Sequence, residues 1–404
     1  MDTPSITSSR RYYLDWLRVF AIYMLIPLHA AMVFSPVPFY HIRNNTVSSE
    51  MLAVFTFGGP CFIPLAFVVA GWVLFYSLRA RGSGSFLKER FQKLFIPLVV
   101  GCALLGPPIK YLELRSGFDA NYLSRCAITS QAYPFGPCIP ASSTFASSFT
   151  QGFLEFWPTF FTNFGRVTWS HLWFLGYLFV FSVLYLPLFW WLTKSRYNLV
   201  RAGAVWVYLP MLPLLLIEIT LRPRWPGIQN LHNDWANFAY FSTCLIAGFL
   251  LARYPALEQT LSRERKRALG VSLLGMALRV PLAVGMAVPP ILSSVSLVLA
   301  SWGTIIALLG SAQVRLAHTN AVLDYLKESV YPVYFLHQLA VVGIGYRIIQ
   351  LPLGIAAKYA LLLSAALITT LAIYEFVIRR ILALRLALSM KPGRRKAGPV
   401  QKET

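Results

Sequence analysis

Long apolar stretches recur along this sequence, and they constrain the fold more than any other feature. About 20 helical residues are needed to cross the hydrocarbon core of a bilayer, and each stretch is close to that length. The composition agrees, because the chain is 57% hydrophobic and 13% charged, whereas soluble domains are nearer half apolar and a quarter charged. The sequence therefore predicts an all-α integral membrane protein.

Ten such stretches can be distinguished, separated by polar or basic segments. If the helices alternate sides, most Lys and Arg residues fall on one side, which the positive-inside rule identifies as the cytosol. Both termini are then cytosolic, and one long segment between the third and fourth helices lies outside. We expect a single transmembrane domain over 1–390 and a basic cytosolic tail over 391–404. The predicted spans are 11–34, 52–78, 94–112, 171–193, 202–220, 235–252, 269–288, 291–312, 329–349 and 353–378.

Charge and cysteine usage exclude several classes of function. The net charge of +21 is explained by the topology and by contact with anionic lipid, so a nucleic-acid partner is not expected. The five cysteines form no CxxC or other metal-ligand spacing, and no metal is expected. Cys126 and Cys138 lie in the long outer segment, where they could pair if that side is the periplasm, and the sequence leaves this open.

The first span carries three ionisable residues, Asp15, Arg18 and His29. In one helix Arg18 and His29 lie within about 20° of each other and about 16 Å apart along the axis, with Asp15 about 40° away. We expect Pro27 to bend this helix just before His29. Histidine is the natural general base near neutral pH, so His29 is a catalytic candidate. Alternatively, Asp15 and Arg18 only anchor the cytosolic end, and His29 bonds a neighbouring helix.

A basic block follows the second span and consists of Arg79, Arg81, Lys88, Arg90 and Lys93. With Arg18, these cations would surround the cytosolic mouth and could hold the phosphates of a nucleotide-like donor, since Arg makes planar bidentate contacts. The alternative for each of them is positive-inside anchoring.

Further polar or aromatic residues lie in or beside predicted spans. His171 and Trp173 begin the fourth helix, although Trp173 alone is typical of an interfacial belt. His337 lies within the ninth helix, where a histidine more often bonds a neighbouring helix than catalyses a reaction. Arg279 is also placed inside the membrane. The pair Glu375 and Arg379, four residues apart, is most simply structural.

Several segments resemble the membrane-bound acyltransferase family 3. The first is RYYLDWLRVFAIYMLIPLHA, which is similar to the family's first helix and contains its Arg-x10-His pattern as Arg18 and His29. The second is IPLAFVVAGWVLFYSLRARGSGSFLKERFQKLFIPLVVG, where Arg90 and Lys93 match a basic pair and Lys93 replaces an arginine. HLWFLGYL and YPVYFLHQ are similar to the glucan biosynthesis protein C branch, the succinyltransferases of osmoregulated periplasmic glucans.

The resemblance implies a multi-pass enzyme of the bacterial inner membrane that moves an acyl group from cytosolic acyl-CoA to a hydroxyl of an extracytoplasmic carbohydrate. For this branch the donor would be succinyl-CoA and the acceptor a periplasmic glucan, with no permanently bound cofactor. The implied residues are His29 and Arg18 for catalysis; Arg18, Arg90, Lys93 and Arg79 for acyl-CoA; and His171, Trp173, His337 and Asp15 for the acceptor side or its support.

Other interpretations stay open at this point. The acceptor could be another extracytoplasmic carbohydrate, the histidines could serve a proton-coupled transporter, or the protein could be an inert membrane partner. Aromatic residues of the outer segments could stack on sugars or form an interfacial belt, and these are Trp157, Trp169, Trp225 and Trp235. The sequence does not determine the oligomeric state.

Overall fold

A computed structural model describes residues 10–36, 40–117, 149–163, 166–195, 203–225, 227, 229–231, 233–388 and 390. Within these ranges every regular element is helical and no strand is present, which confirms the all-α prediction. The helices are α1 (Tyr12–Tyr23), α2 (Leu25–Phe34), α3 (Ser49–Arg81), α4 (Ser83–Arg90), α5 (Ile96–Arg115), α6 (Phe153–Thr162), α7 (Trp173–Leu184), α8 (Leu186–Lys194), α9 (Ala204–Tyr208), α10 (Met211–Thr220), α11 (Trp235–Arg253), α12 (Pro255–Ala283), α13 (Pro290–Arg315), α14 (Ala321–Ile348), α15 (Ile355–Ile373) and α16 (Leu382–Ala387), with π-helical turns at Phe91–Phe95 and Tyr374–Ile378 and a 3₁₀ turn at Ser170–Leu172.

Within the described part of the chain, six helical stretches are long and apolar enough to cross a membrane. A seventh is added if α7 with its preceding 3₁₀ turn and α8, which are bent by 56° relative to each other, form one span. The protein is therefore a multi-pass membrane protein. The helices at the predicted fifth, seventh and ninth spans do not meet the same criteria, so the count of ten stays a prediction. The six stretches are Tyr12–Phe34, Ser49–Arg81, Ser83–Arg115, Trp235–Arg253, Pro290–Arg315 and Ile355–Ile378.

Two basic segments that the hydropathy pattern left as loops are helical. Between α3 and α5 the chain breaks only at Gly82, whose φ of +75° favours glycine. The basic block is divided between the end of α3 (Arg79, Arg81), α4 (Lys88, Arg90) and the π-helical turn (Lys93). The run Arg263–Arg267 lies inside α12, which begins at Pro255. Hydropathy marks only the part of a helix that lies in lipid, whereas Arg, Lys and Glu extend a helix readily beyond it.

The first predicted span is divided at Met24 into α1 and α2. Because Pro27 has no N–H, the carbonyl of Tyr23, four residues earlier, cannot receive its helical hydrogen bond. The interruption lies at Met24, one turn before the proline and not directly before His29, and Tyr12–Phe34 remains one apolar stretch long enough to cross a membrane. His29 is consequently carried by α2, whereas Arg18 is carried by α1.

The relative directions of packed helices agree with alternating spans. The hydroxyl of Tyr23 on α1 forms a hydrogen bond with that of Ser329 on α14 at 2.7 Å. Later in both spans, the ring centroids of His29 on α2 and His337 on α14 lie 5.3 Å apart. Because the residue numbers increase in the same direction along both spans, the two spans are parallel, as the first and ninth spans of an alternating bundle must be.

Glycine allows the closest helix crossing. A Cβ at Gly71 on α3 would lie 2.0 Å from the carbonyl oxygen of Leu245 on α11, and one at Gly248 on α11 would lie 2.0 Å from that of Val68. Small residues are typical of membrane helix crossings because they let two backbones approach. This crossing fixes α11 against α3, and the two helices form adjacent walls of the cavity described below.

Candidate active site

Three histidines from separate parts of the sequence meet in the interior and form what we call the histidine cluster. His29 comes from α2, His171 from the 3₁₀ turn before α7, and His337 from α14. The ring centroids of His29 and His337 lie 5.3 Å apart, and those of His171 and His337 lie 4.9 Å apart. His337 is fully buried and His171 nearly so, whereas His29 is partly exposed. The structure thus brings together three of the predicted site residues.

Backbone carbonyls fix the proton positions on two of these rings. His171 Nε2 lies 3.0 Å from the carbonyl oxygen of Phe335, and His337 Nδ1 lies 2.7 Å from that of Tyr334. A carbonyl only accepts hydrogen bonds, so each of these nitrogens carries the proton. The remaining nitrogens, His171 Nδ1 and His337 Nε2, are therefore lone-pair acceptors.

Each ring of the histidine cluster has one buried nitrogen without a hydrogen-bond partner among the described residues. These are Nδ1 of His29, Nδ1 of His171 and Nε2 of His337. More than nine in ten buried polar groups are satisfied in folded proteins, so three such atoms in one place call for a polar ligand. No group of three or more His, Cys, Asp or Glu side chains in the described ranges has a metal-binding arrangement. The chemistry considered below uses the imidazoles themselves.

A cavity of about 750 Å³ lies next to the cluster and is lined by both His29 and His171. This volume is within the range of small-molecule sites, which is roughly 300–1,000 Å³. Aromatic side chains form much of the wall, and sugar rings pack well on such surfaces. The lining aromatic residues beside the cluster are Trp173, Phe174, Tyr240, Phe241 and Tyr334.

A second polar group on the cavity wall is centred on Arg222. This guanidinium donates to Glu218 through Nε and through Nη2, the latter at 2.7 Å, and donates to Asn237 through Nη1 at 2.9 Å. Glu218 is buried on α10, and Asn237 is buried near the start of α11. The charge of Glu218 is thus compensated by Arg222. Arg279, on α12, also lines the cavity.

A buried hydrogen-bonded network supports the turn that carries His171. Ser170 Oγ lies 2.9 Å from Nε2 of His41, and Nδ1 of His41 bonds the carboxylate of Glu113, which is also paired with Lys110. Ser170 has a φ of +46°, a conformation that non-glycine residues adopt only when their surroundings hold them there. The order serine, histidine, carboxylate resembles a nucleophilic relay, but Ser170 does not line the cavity. We assign this network to positioning His171.

Tyr40 stacks on His29. The two rings are stacked with centroids 5.8 Å apart, and the Tyr40 hydroxyl donates to Oε1 of Gln338 at 3.4 Å. Gln338 follows His337 on α14, so this contact joins the segment after α2 to the helix that carries the third histidine. The His29 ring therefore packs against two other rings, those of Tyr40 and His337.

The basic block contains its own counter-ion. Glu89 bonds Lys93 at 2.6 Å, Arg81 at 2.7 Å, Arg90 at 3.0 Å and the hydroxyl of Ser77 at 2.7 Å. The predicted pair Arg90 and Lys93 is thus brought together, with one carboxylate shared between them. Lys93 lies in the π-helical turn before α5, and such turns occur frequently at functional sites.

The remaining predicted residues lie away from the histidine cluster. Arg79 and Arg18 are exposed, and neither lines the cavity. Asp15 pairs with Arg10 at 2.8 Å. The helical-phase argument joined Arg18 to His29 through one helix; the helical pattern is interrupted at Met24 between them, and the Arg18 side chain is exposed and not on the cavity wall. The structure therefore does not bring Arg18 or Asp15 to the candidate site.

Predictions for the outer segments have mixed outcomes. Trp173 lines the cavity, but none of the four outer tryptophans proposed for sugar stacking does; these are Trp157, Trp169, Trp225 and Trp235. Each lies in the described part of the chain, and Trp169 and Trp225 pack partly buried against the hydrophobic core. The possible Cys126–Cys138 pair lies outside the described residues.

The sequence interpretation did not single out several residues that shape the site. Glu113, Glu218 and Glu89 are the clearest cases, because an acidic residue in or next to an apolar stretch is rare and usually paired. That rule, applied to carboxylates as well as to histidines, would have marked all three. Tyr40 offers no such signal, since it belongs to a short polar segment between two spans.

A comparison with protein-family models gives an independent result. Residues 11–375, from just before α1 to the π-helical turn after α15, match the family model described as an acyltransferase domain. This is the model of acyltransferase family 3. The match includes the histidine cluster and the basic block. The searches of curated proteins and of solved structures returned no match.

Proposed function

This chain belongs to the membrane acyltransferase family 3, and we propose that it transfers a succinyl group from cytosolic succinyl-CoA to a hydroxyl of a periplasmic glucan at the bacterial inner membrane. Family membership supports acyl transfer by a membrane protein. The donor, the acceptor and the location rest on the resemblance of HLWFLGYL and YPVYFLHQ to the glucan-succinylating branch.

One observation carries the proposal: three imidazoles meet beside a cavity, and each keeps a buried nitrogen without a partner. A sugar acceptor presents several neighbouring hydroxyls, which donate hydrogen bonds. The lone pair of His171 Nδ1, on the cavity wall, suits one of these hydroxyls, whereas His337 is fully buried outside the lining and its ring packs against those of His29 and His171. His29, which alone of the three is partly exposed, would accept the proton of the reacting hydroxyl.

The proposed reaction is a direct acyl transfer. The acceptor hydroxyl gives its proton to His29 while its oxygen attacks the thioester carbonyl carbon. The carbon–sulfur bond then breaks, and the leaving sulfur takes the proton from His29. The products are a glucan ester and free CoA thiol, and His29 returns to its neutral form.

The basic block is suitably placed for the donor. The Tyr331 hydroxyl donates to the backbone carbonyl of Lys93 at 3.0 Å, and Tyr331 precedes His337 by six residues on α14. Six residues of helix correspond to about 9 Å along the axis. CoA phosphates held by Arg90 and Lys93 would therefore leave a short path for the thioester arm to the histidine cluster.

The test uses the purified full chain in lipid nanodiscs with succinyl-CoA and periplasmic glucan. We expect thiol release that requires the glucan, together with a succinyl mass increment on the glucan. A matched reaction with an unrelated soluble polysaccharide controls for acceptor identity. If only another carbohydrate supports thiol release, that carbohydrate and not the glucan is the acceptor. If glucan crosses the membrane of proteoliposomes without consumption of the thioester, acyl transfer is contradicted and a transporter is favoured.

A further inference from the structure

The cavity wall carries one more positive than negative charge when histidines and tyrosines are set aside. Three other ionisable residues line the cavity in the described part of the chain, namely Glu218, Arg222 and Arg279. Glu218 receives hydrogen bonds from Arg222 and also attracts the charge of Arg279 without forming an ion pair with it, so the three side chains together keep a net charge of +1. Arg279 has no ion pair among the described residues. Only 9% of Arg279 is exposed. Burying a charge costs free energy unless the charge is paired with an opposite one.

The local backbone explains how Arg279 is held. Its Nε donates to the carbonyl oxygen of Thr56 on α3 at 3.2 Å. Four residues after Thr56 the chain has Pro60, which lacks an N–H, so this carbonyl has no helical partner. Arg279 supplies the missing hydrogen bond with Nε alone. Its two terminal amino groups have no partner among the described residues. These groups can bind both oxygens of a carboxylate through two parallel hydrogen bonds.

Arg279 lies at about the same depth as the histidine cluster. A Cβ at Gly58 on α3 would meet the side chain of Leu28, which immediately precedes His29. Thr56, the residue bonded by Arg279, is two positions before Gly58, or about 3 Å along the helix axis. His29 and Arg279 therefore approach one cavity from two different helices at nearly one level of α3.

We propose that Arg279 is the residue that selects a dicarboxylic acyl group, by binding the free carboxylate of the succinyl chain while the thioester carbon lies beside His29. The inference rests on the proposed function. It assigns the excess positive charge to the acyl group because that carboxylate has to lie within a few carbon atoms of the reacting centre. Substrates whose acyl chain ends in a methyl group leave Arg279 without an anion.

The test compares succinyl-CoA with butyryl-CoA, in which a methyl group replaces the carboxylate. Arg279→Gln retains a donor for the Thr56 carbonyl but removes the charge. We expect kcat/KM for succinyl-CoA to fall about 10- to 100-fold, the range for losing a charge-assisted hydrogen bond, and kcat/KM for butyryl-CoA to change by less than about twofold. Arg279→Lys should recover only part of the succinyl preference, because it keeps the charge but lacks the planar fork.

Arg224→Gln is the matched control, because Arg224 is exposed in the turn after α10 and does not line the cavity. An equal loss for both donors in Arg279→Gln would overturn the inference and leave Arg279 as a support for α3. A loss seen only with glucans that carry anionic substituents would also overturn it, by assigning the charge to the acceptor. If the wild type releases no thiol from either donor, the proposed function fails, and the relative affinities of the wild type and Arg279→Gln for succinate and butyrate still decide the role of Arg279.

Discussion

The basic block and the histidine cluster are both polar regions in an apolar protein, but they differ in how their polar groups are satisfied. In the basic block, Glu89 bonds three cations at once, namely Arg81, Arg90 and Lys93. In the histidine cluster, every ring keeps one buried nitrogen without a partner. The first region contains its own counter-ion, and among its buried polar atoms only Nε of Arg90 lacks a partner in the described part of the chain, whereas the second region has no such internal partner for any of its three free nitrogens.

This difference separates two roles that the sequence presented side by side. A ligand of the basic block has to compete with Glu89, which favours reversible and salt-sensitive binding of phosphate groups. A ligand of the histidine cluster instead supplies missing hydrogen bonds in a water-poor site, where they are stronger. We therefore expect changes at the basic block to alter KM for acyl-CoA, and changes at the cluster to alter kcat.

The largest effect should follow from His29→Gln. Glutamine can form hydrogen bonds but cannot take up a proton, so kcat should fall by about 10²- to 10⁴-fold, the usual contribution of general base catalysis. Steady-state thiol release measures this loss. His318→Gln is the control, since His318 is exposed between α13 and α14. Nearly full activity in a folded His29→Gln protein would remove His29 from the chemistry.

A smaller loss is expected for His337→Phe, which keeps a ring but removes the Nε2 lone pair and the Nδ1–H that is donated to the Tyr334 carbonyl. The rings of His29 and His171 would lose part of their support, so kcat should fall about 10- to 100-fold while KM for acyl-CoA stays within about twofold. Kinetics with saturating glucan separates these quantities. If KM for acyl-CoA rises and kcat does not change, His337 belongs with the donor site and the division between the two regions is incorrect.

Glu89→Gln sharpens the comparison from the other side. With its carboxylate neutralised, Arg81, Arg90 and Lys93 lose their shared counter-ion, so KM for acyl-CoA should fall a few-fold at low salt, and the effect should shrink at 0.5 M salt because of screening. Glu375→Gln is the control, because Glu375 pairs with Arg379 at 2.9 Å elsewhere. A higher KM in Glu89→Gln would mean that Glu89 organises the donor site and does not compete with the donor.

The smallest effect is expected for Tyr40→Phe. The hydroxyl of Tyr40 makes a long hydrogen bond of 3.4 Å to Gln338, whereas the ring that stacks on His29 is unchanged. We expect kcat to fall by less than about twofold, because an interaction this long contributes little. Tyr40→Ala, which removes the ring, should cost more in the same thiol-release assay. Equal losses in the two variants would assign the hydroxyl a direct role.

The sequence predicted most of the fold because hydropathy directly reports which segments lie in lipid. It also indicated His29 as a candidate, since ionisable residues in membrane helices are rare and usually functional, whereas His171 and His337 were implied by the resemblance of their motifs to the family. Their convergence could not be predicted, because it depends on which helices pack together over separations of more than a hundred residues. Helical phase pointed instead to Arg18, a residue of the same span, which the break at Met24 places on a separate helix.

The basic block shows a second reason for incomplete prediction. Its cations were visible in the sequence, but Glu89 was not weighed against them. In the fold, the π-helical turn and the end of α3 bring Glu89, Lys93 and Arg81 together. Whether a cation is available to a ligand depends on such three-dimensional neighbours, as the contrast between Lys93 and Arg279 also shows.

The most direct test of the account places donor and acceptor on opposite sides of a membrane. Proteoliposomes of the full chain would enclose succinyl-CoA, with periplasmic glucan added outside, and mass spectrometry would measure glucan succinylation. The account predicts succinylated glucan in this arrangement. It predicts no succinylated glucan when both substrates are outside the vesicles and every protein molecule has its basic block facing the inside. Succinylation only when the two substrates share a side would contradict it, because the basic block and the histidine cluster would then not serve opposite faces.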